Sequence, residues 1–277
     1  MMCLVLAGGL GTRMASYTQS MPKALIPVGG VPFIDLQIAW LASHGVTEIV
    51  MSVGYRAAML AEHLGDGRRF GVPIRYVDEG TELRGTGGAL RFALEQGALT
   101  EHFLVTYGDS FLPVDFGQVA SAFLASKKPA AMTVLQNGGR WDASNVVFEG
   151  GRLVVYDKRH KTRPSADFHF IDYGLLGLSR RVVEERIPKN APGEKHDLAD
   201  VLHELSLEGE LFGIEVEPRF YEIGSNRPLF GDRDKSIHDD VNGISPERRN
   251  GYGWYSTGPA RALERYGLWV RTGSKRS

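Results

Sequence analysis

Short apolar runs alternate along the first half of the chain with stretches whose apolar residues recur at three- and four-residue steps. Cys3–Ala7 is a compact apolar run that breaks into Gly8-Gly9-Leu10-Gly11, the pattern of a buried strand entering a glycine-rich turn. Pro32 opens a predicted helix with Phe33, Leu36, Trp40 and Leu41 on one face, and Gly45 ends it. Strands are predicted at Glu48–Val53, Ile74–Val77, Phe103–Tyr107 and Ala130–Leu135, and helices at Ala57–Leu64, Gly88–Gln96 and Gly117–Ser126. This alternation with short turns predicts an α/β fold built on a doubly wound, mainly parallel sheet. In such sheets ligands lie beyond the carboxyl ends of the strands. That directs attention to the loops at Gly8 and at Gly108-Asp109, which both follow strands.

The second half is less regular. Asn145–Phe148 and Leu153–Tyr156 read as strands around the hairpin turn Glu149-Gly150-Gly151-Arg152, and Tyr173–Leu178 as a further strand. Helices are predicted at Arg180–Arg186 and Asp197–Leu207, the latter with Leu198, Val201, Leu202 and Leu205 on one face. A strand at Leu211–Val216 leads to Tyr221-Glu222-Ile223-Gly224.

Composition removes several classes of function. The 277 residues carry 32 Lys+Arg against 33 Asp+Glu, a net charge of −1, so no global field draws the chain to nucleic acid or to an anionic membrane. No apolar run reaches the roughly 18 residues a membrane span needs. The single cysteine, Cys3, can form neither an internal disulfide nor a Cys-rich zinc site, which fits a reducing, cytoplasmic setting. The eight histidines show no metal-ligand spacing.

Leu6-Ala7-Gly8-Gly9-Leu10-Gly11-Thr12-Arg13, followed by Pro22-Lys23, is the most informative segment. Glycines let the backbone approach a ligand and aim several N–H groups at one point. Arg13 adds a planar fork for phosphate oxygens and Lys23 a mobile point charge. Together they suit a triphosphate. A dinucleotide fingerprint fails, because Gly9-Leu10-Gly11 is followed by Thr12-Arg13-Met14 with no third glycine. The P-loop pattern fails as well, because no Gly-Lys-Ser/Thr closes the segment.

Taken in order, Leu6–Arg13 with Pro22-Lys23, Leu83-Arg84-Gly85-Thr86-Gly87-Gly88-Ala89, Tyr107-Gly108-Asp109, Asp157-Lys158 and Glu222-Ile223-Gly224 form a series. The series resembles the sugar-1-phosphate nucleotidyltransferases, over about residues 3–226. Gly108–Phe116 and His169–Gly174 look closest to the heptose- or mannose-1-phosphate guanylyltransferase branch. The resemblance implies a Rossmann-like nucleotidyltransferase fold with a small mixed sugar-binding subregion. It also implies transfer of a nucleotidyl group from an NTP, GTP first, to a heptose or hexose 1-phosphate, with pyrophosphate released. A non-catalytic nucleotide-sugar-binding or regulatory protein of the same fold is the alternative.

Site residues follow from the same resemblance. Ala7, Gly8, Gly9, Gly11 and Thr12 would cradle the nucleotide, Arg13 would hold the β/γ-phosphates and Lys23 the α-phosphate. Asp109 and Glu222 would hold Mg²⁺, with Glu222 standing where relatives commonly carry Asp. Gly85, Thr86, Gly87 and Gly88 would face base and ribose, with Glu79 accepting from the base and Arg84 replacing a glycine of many relatives. Lys158 would bind the sugar-linked phosphate, and Asp157, Asn145, Asp172 and Gly174 would lie against the sugar; Trp141 is a candidate for stacking on it.

Residues 1–226 would form the nucleotidyltransferase domain, and 227–277 a C-terminal extension that is polar at first, with a helix predicted over Asp232–Val241, then aromatic and basic. Docking on the core, a subunit interface in a homo-oligomer and partial disorder are all compatible with that composition.

Overall fold

A computed structural model describes residues 1–9, 21–140, 142–160, 162 and 167–223. Gly11, Thr12, Arg13, Trp141, Gly224 and the whole extension beyond residue 226 lie outside the described residues.

Strand β1 (Met2–Leu6) runs through the middle of a nine-stranded sheet. It is parallel to β4 (Glu48–Val53) on one side and to β6 (His102–Tyr107) on the other, and β5 (Ile74–Asp78) continues parallel outside β4. Beyond β6 the sheet is mixed. β11 (Phe170–Ser179) pairs antiparallel with both β6 and β8 (Ala130–Gln136), and β12 (Leu211–Val216) runs parallel to β8. A hairpin of β9 (Val146–Glu149) and β10 (Arg152–Tyr156) meets the first residue of β11. These pairings point β1, β4, β5, β6, β8, β9 and β12 one way and β10 and β11 the other. The predicted mainly parallel α/β architecture is therefore present.

Both faces of the sheet are covered, and β1 shows why its five residues are apolar throughout. Successive side chains of a strand point to opposite faces. Cys3 and Val5 pack against Ile34, Ile38 and Leu41 of α1 (Phe33–Ser43), Leu60 and Leu64 of α2 (Ala57–Leu64) and Val119 of α4 (Phe116–Ser126). Met2 and Leu4 pack on the other face against Leu90 of α3 (Gly85–Glu95), Val183 of α5 (Arg180–Arg186) and Leu202 of α6 (Leu198–Leu207). A strand buried on both sides reads as a continuous apolar run, and each such side chain contributes roughly 1.5–3 kcal/mol.

Three expectations about elements are corrected. In α1, Leu36 is only half-buried, while Ile34, Gln37 and Ile38 join Phe33, Trp40 and Leu41 in the interior, because the helix is covered by the sheet and by the loop after β6. Helix α3 starts at Gly85 instead of Gly88, so the glycines are helical. Strand β11 starts at Phe170 instead of Tyr173, with a register shift between Asp172 and Leu176 where Gly174 takes φ 95°. A two-residue hairpin, β2 (Pro27–Val28) with β3 (Val31–Pro32), turns through Gly29 and Gly30 at φ 59° and 81°, the left-handed pair a tight hairpin requires. Among the described residues no helix is long and apolar enough to cross a membrane.

Candidate active site

From β1 the chain moves to β4 and β5 on one side, then returns to β6 on the other. The carboxyl ends of β1 and β6 therefore flank the point where the winding reverses, the crevice where open α/β sheets bind ligands. Ala7 N donates to Ser52 O at 2.8 Å and Gly108 N to Leu6 O at 2.9 Å, so Gly8 and Gly108 follow tightly paired strand ends. A Cβ on Gly108 would fall 2.8 Å from Ala7 Cβ, a separation only glycine permits. Gly9 is exposed with open space around it.

Asp109 follows Gly108 directly, and two elements converge on it. Lys23 sits on a single 3-10 turn, Lys23–Leu25, closed by Leu25 N to Pro22 O at 3.0 Å. Its Nζ donates to Asp109 Oδ2 at 2.8 Å, with the two side chains 22 % and 40 % exposed. Strand β7 (Ser110–Phe111) pairs antiparallel with β13 (Tyr221–Glu222), placing Glu222 opposite Ser110. Ile223 N donates to Asp109 O at 2.9 Å. Residues 86 and 113 positions from Asp109 thus meet at one strand end.

Two carboxylates with oxygen donors only, one of them partly open to solvent, suit Mg²⁺, which takes one or two protein carboxylates and completes its shell with water and phosphate oxygens. No group of three or more His, Cys, Asp or Glu side chains among the described residues forms a closed metal cage. Asp109 and Glu222, on the strand paired beside it, are the carboxylates that could hold such an ion.

A second acidic group lies on the β6–β11 side. Burial pushes the Tyr107 phenol upward, and Asp172, Asp197, Asp109 and Glu222 all push it further, so four carboxylates bear on one neutral hydroxyl. Asp197 caps α6, accepting from Ala199 N at 3.0 Å, and stands 4.0 Å from Lys158 Nζ. Asp172 accepts from Gly174 N at 2.9 Å and its own N–H donates to Asn145 Oδ1 at 2.8 Å. Asn145, Asp172 and Gly174 are thus joined by hydrogen bonds, with the Lys158 charge acting on Asp172.

Burial pushes Asp172 up to about 6, against the pull of the Gly174 N–H and of Lys158. A carboxyl raised in the folded state holds its proton there at pH values where the unfolded chain has lost it. Its ionisation therefore lowers stability as pH rises from about 4 to 6, and the penalty is complete above that window. Asp172→Asn keeps the acceptor for Gly174 and is expected to raise the unfolding free energy by about 1–3 kcal/mol near pH 7.5, and by close to nothing near pH 3.5. Denaturant unfolding at the two pH values measures this.

Other expected site residues hold contacts within the chain. Glu79 is buried beneath the glycine turn, where a Cβ on Gly8 would come 3.1 Å from its Oε1. Its oxygens accept from Ser52 Oγ at 2.9 Å and Arg84 N at 3.4 Å, and burial pushes its carboxyl upward. These bonds support the turn from beneath. Gly85–Gly88 open helix α3 directly beside His196. Gly87 N and Gly88 N both donate to His196 O, at 2.8 and 3.2 Å, and a Cβ on Gly85 would fall 2.6 Å from that oxygen. Thr86 Oγ1 donates to Asp197 Oδ1 at 3.1 Å and accepts from Leu198 N at 2.9 Å. These residues lock α3 against the start of α6. Arg84 folds back onto Glu79 O and Glu82 O, at 2.9 Å each. Asp157 is buried and accepts from Arg159 N at 3.1 Å, Thr162 N at 2.7 Å and Thr162 Oγ1 at 2.6 Å, closing its own turn.

Three residues of the site were given no role by sequence reasoning. Tyr107 stood in the motif only as a neighbour of Asp109. In sequence, Asp197 marks only the start of a helix. Gln37, in an otherwise apolar run, donates to Tyr107 O and Ser110 O at 2.7 Å each, and its polarity at a core position was the available signal.

The family model for Nucleotidyl transferase matches residues 2–141, which contain β1, Lys23 and Asp109. A second model, Pectic acid lyase, matches residues 208–263. Within its described part, β12 pairs with β8 of the main sheet. Mannose-1-phosphate guanylyltransferase of Mycobacterium tuberculosis is 28 % identical over 76 % of this chain and 54 % of its own length. The chain thus spans about half of that relative. D-glycero-alpha-D-manno-heptose 1-phosphate guanylyltransferase of Aneurinibacillus thermoaerophilus is 30 % identical over 57 % of this chain and 68 % of its own. A solved chain from Bacillus anthracis, described as a glucose-1-phosphate thymidylyltransferase, superposes with a TM-score of 0.70 over 92 % of this chain and 99 % of that one, at 19 % identity. At that identity the likeness shows the fold alone.

Proposed function

Because the chain belongs to the nucleotidyl transferase family, we propose that it transfers a nucleotidyl group from an NTP, GTP first, to a sugar 1-phosphate of the mannose or heptose type. An oxygen of the sugar 1-phosphate attacks the α-phosphorus, the bond to the bridging β-oxygen breaks, and pyrophosphate leaves with that electron pair. The attacking phosphate is already anionic at neutral pH, so no side chain has to remove a proton. Alignment and charge neutralisation carry the reaction.

The observation that carries this reading is the Lys23–Asp109 pair at the reversal of the winding, with the Glu222 strand bonded to Asp109. Lys23 holds the α-phosphate and steadies the charge that grows there, and Arg13 grips the β/γ-phosphates. Ala7, Gly8, Gly9, Gly11 and Thr12 supply backbone against the nucleotide. Asp109 and Glu222 hold Mg²⁺, which when bound neutralises and orients phosphate oxygens. Lys158 takes the sugar-linked phosphate. Asn145, Asp172, Gly174 and the neutral Tyr107 hydroxyl meet the sugar. The catalytic unit is residues 1–226, working in the cytoplasm.

The test is a grid of GTP, UTP, CTP and dTTP against mannose, glucose and heptose 1-phosphates with Mg²⁺, scored by pyrophosphate. GTP with a manno-configured sugar is expected to lead; no pyrophosphate in any cell contradicts the proposal. Lys158→Ala is expected to raise KM for the sugar 1-phosphate by roughly 10- to 100-fold, the worth of one hydrogen bond to a charged group, and to leave KM for the NTP within about twofold. Steady-state kinetics with each substrate varied in turn separates the two effects, and equal changes in both would refute the assignment.

A further inference from the structure

We propose that Gln37 is the positioning residue of this site: it fixes the Gly108-Asp109 turn so that the Asp109 carboxylate meets Lys23 and the metal in a set place. Gln37 is 4 % exposed, between Ile34 and Ile38 on the inner side of α1. Both protons of its one amide nitrogen are used, on Tyr107 O and on Ser110 O at 2.7 Å each. Those carbonyls belong to the residue before Gly108 and the residue after Asp109, so the amide brackets the turn.

A packing role alone does not account for this arrangement. Among the described residues, Gln37 Oε1 is buried with no hydrogen-bond partner, a penalty that leucine or methionine would avoid while filling the same volume. Helix α1 also holds the other half of the ion pair. Phe33 N, at its first residue, donates to Ile26 O at 3.0 Å, three residues after Lys23. One helix therefore anchors the Lys23 turn at its start and the Asp109 turn one helical turn later. Trp40 holds the outgoing chain further along: its Nε1 donates to Val114 O at 3.0 Å and its ring meets Phe111 edge-on at 5.5 Å. Lys23 and Asp109 are separated by 86 positions, yet their relative placement is referred to one rigid element. Such support of a reacting group by locked neighbours is what preorganisation requires.

The inference rests on the proposed metal-assisted reaction and is tested apart from it. Gln37→Met keeps length and volume and removes both donors. Trp40→Phe, the control, removes one hydrogen bond from the same helix to the same loop but beyond Asp109. Mn²⁺ alone is the probe, titrated by electron paramagnetic resonance on the full chain without substrates, beside denaturant unfolding and steady-state kinetics. Gln37→Met is expected to weaken Mn²⁺ binding about tenfold and to lower kcat while leaving KM for the sugar 1-phosphate unchanged. Trp40→Phe is expected to lower the unfolding midpoint at least as much, yet to keep Mn²⁺ affinity within about twofold. Wild-type Mn²⁺ affinity in Gln37→Met, an equal loss in Trp40→Phe, or no Mn²⁺ binding by the unaltered protein would each overturn the assignment. Mn²⁺ binding by the unaltered protein without nucleotidyl transfer would overturn the proposed reaction only, and the titrations would still decide the role of Gln37.

Discussion

Asp109→Asn is expected to lower nucleotidyl transfer at saturating Mg²⁺ by roughly 10²–10³-fold or more, the loss typical when one group that stabilises transition-state charge is removed. The fold has little reason to respond. Asn fills the same volume, an amide oxygen still accepts from Ser110 Oγ, and the Ile223 N–H bonds the backbone carbonyl of residue 109, which the substitution leaves in place. The Lys23–Asp109 ion pair is partly exposed, and a pair of that kind contributes about 1 kcal/mol or less. Pyrophosphate release and a thermal melt on the same preparation separate the two effects. Unchanged turnover would remove Asp109 from the metal site, and a collapsed melt would reassign it to structure.

Lys23→Met is the second large effect, expected at roughly 10²-fold in kcat. Methionine keeps the apolar stem of the lysine and removes the charge that meets Asp109 and, in the proposed reaction, the α-phosphate. Asp109, at 40 % exposure, can then be solvated, so the Lys23 turn is expected to persist. Lys23→Arg is expected to recover little, because a planar fork does not replace a compact ammonium at a 2.8 Å contact set by a fixed turn. The signature is a fall in kcat with KM for the sugar 1-phosphate nearly unchanged. A KM effect confined to the sugar phosphate would move Lys23 to the other substrate.

The parallel half of the sheet was legible because Cys3–Ala7, Glu48–Val53 and Phe103–Tyr107 are buried on both faces and read as apolar runs interrupted only by Glu48, Ser52 and Thr106. The place of the site was legible for the same reason, since a glycine turn and Gly108-Asp109 each follow such a run. What escaped depends on contacts between distant residues. The insertion of β11 between β6 and β8 leaves no local mark, because an antiparallel partner has the same alternation as a parallel one. Glycines were ambiguous in kind: one that admits a ligand and one that admits a neighbouring backbone look identical in sequence. Gly9 has open space around it, whereas Gly85 and Gly87 admit the His196 carbonyl. Acidic residues were ambiguous in direction. Glu79 and Asp157 turn inward to Ser52 and Thr162, and Asp197, which does join the acidic group, lies 39 residues beyond Lys158. Gln37 carried the opposite difficulty, a polar residue inside an apolar stripe whose partners are 70 and 73 positions away.

The central claim is that two phosphorylated substrates are aligned for direct displacement, with no covalent bond to the protein. Exchange of labelled pyrophosphate into GTP, followed with Mg²⁺ in the presence and absence of a sugar 1-phosphate or its nucleotide sugar, tests it most directly. The account predicts exchange only when the sugar partner is present. Exchange with GTP alone would demonstrate a nucleotidyl–protein intermediate and contradict it.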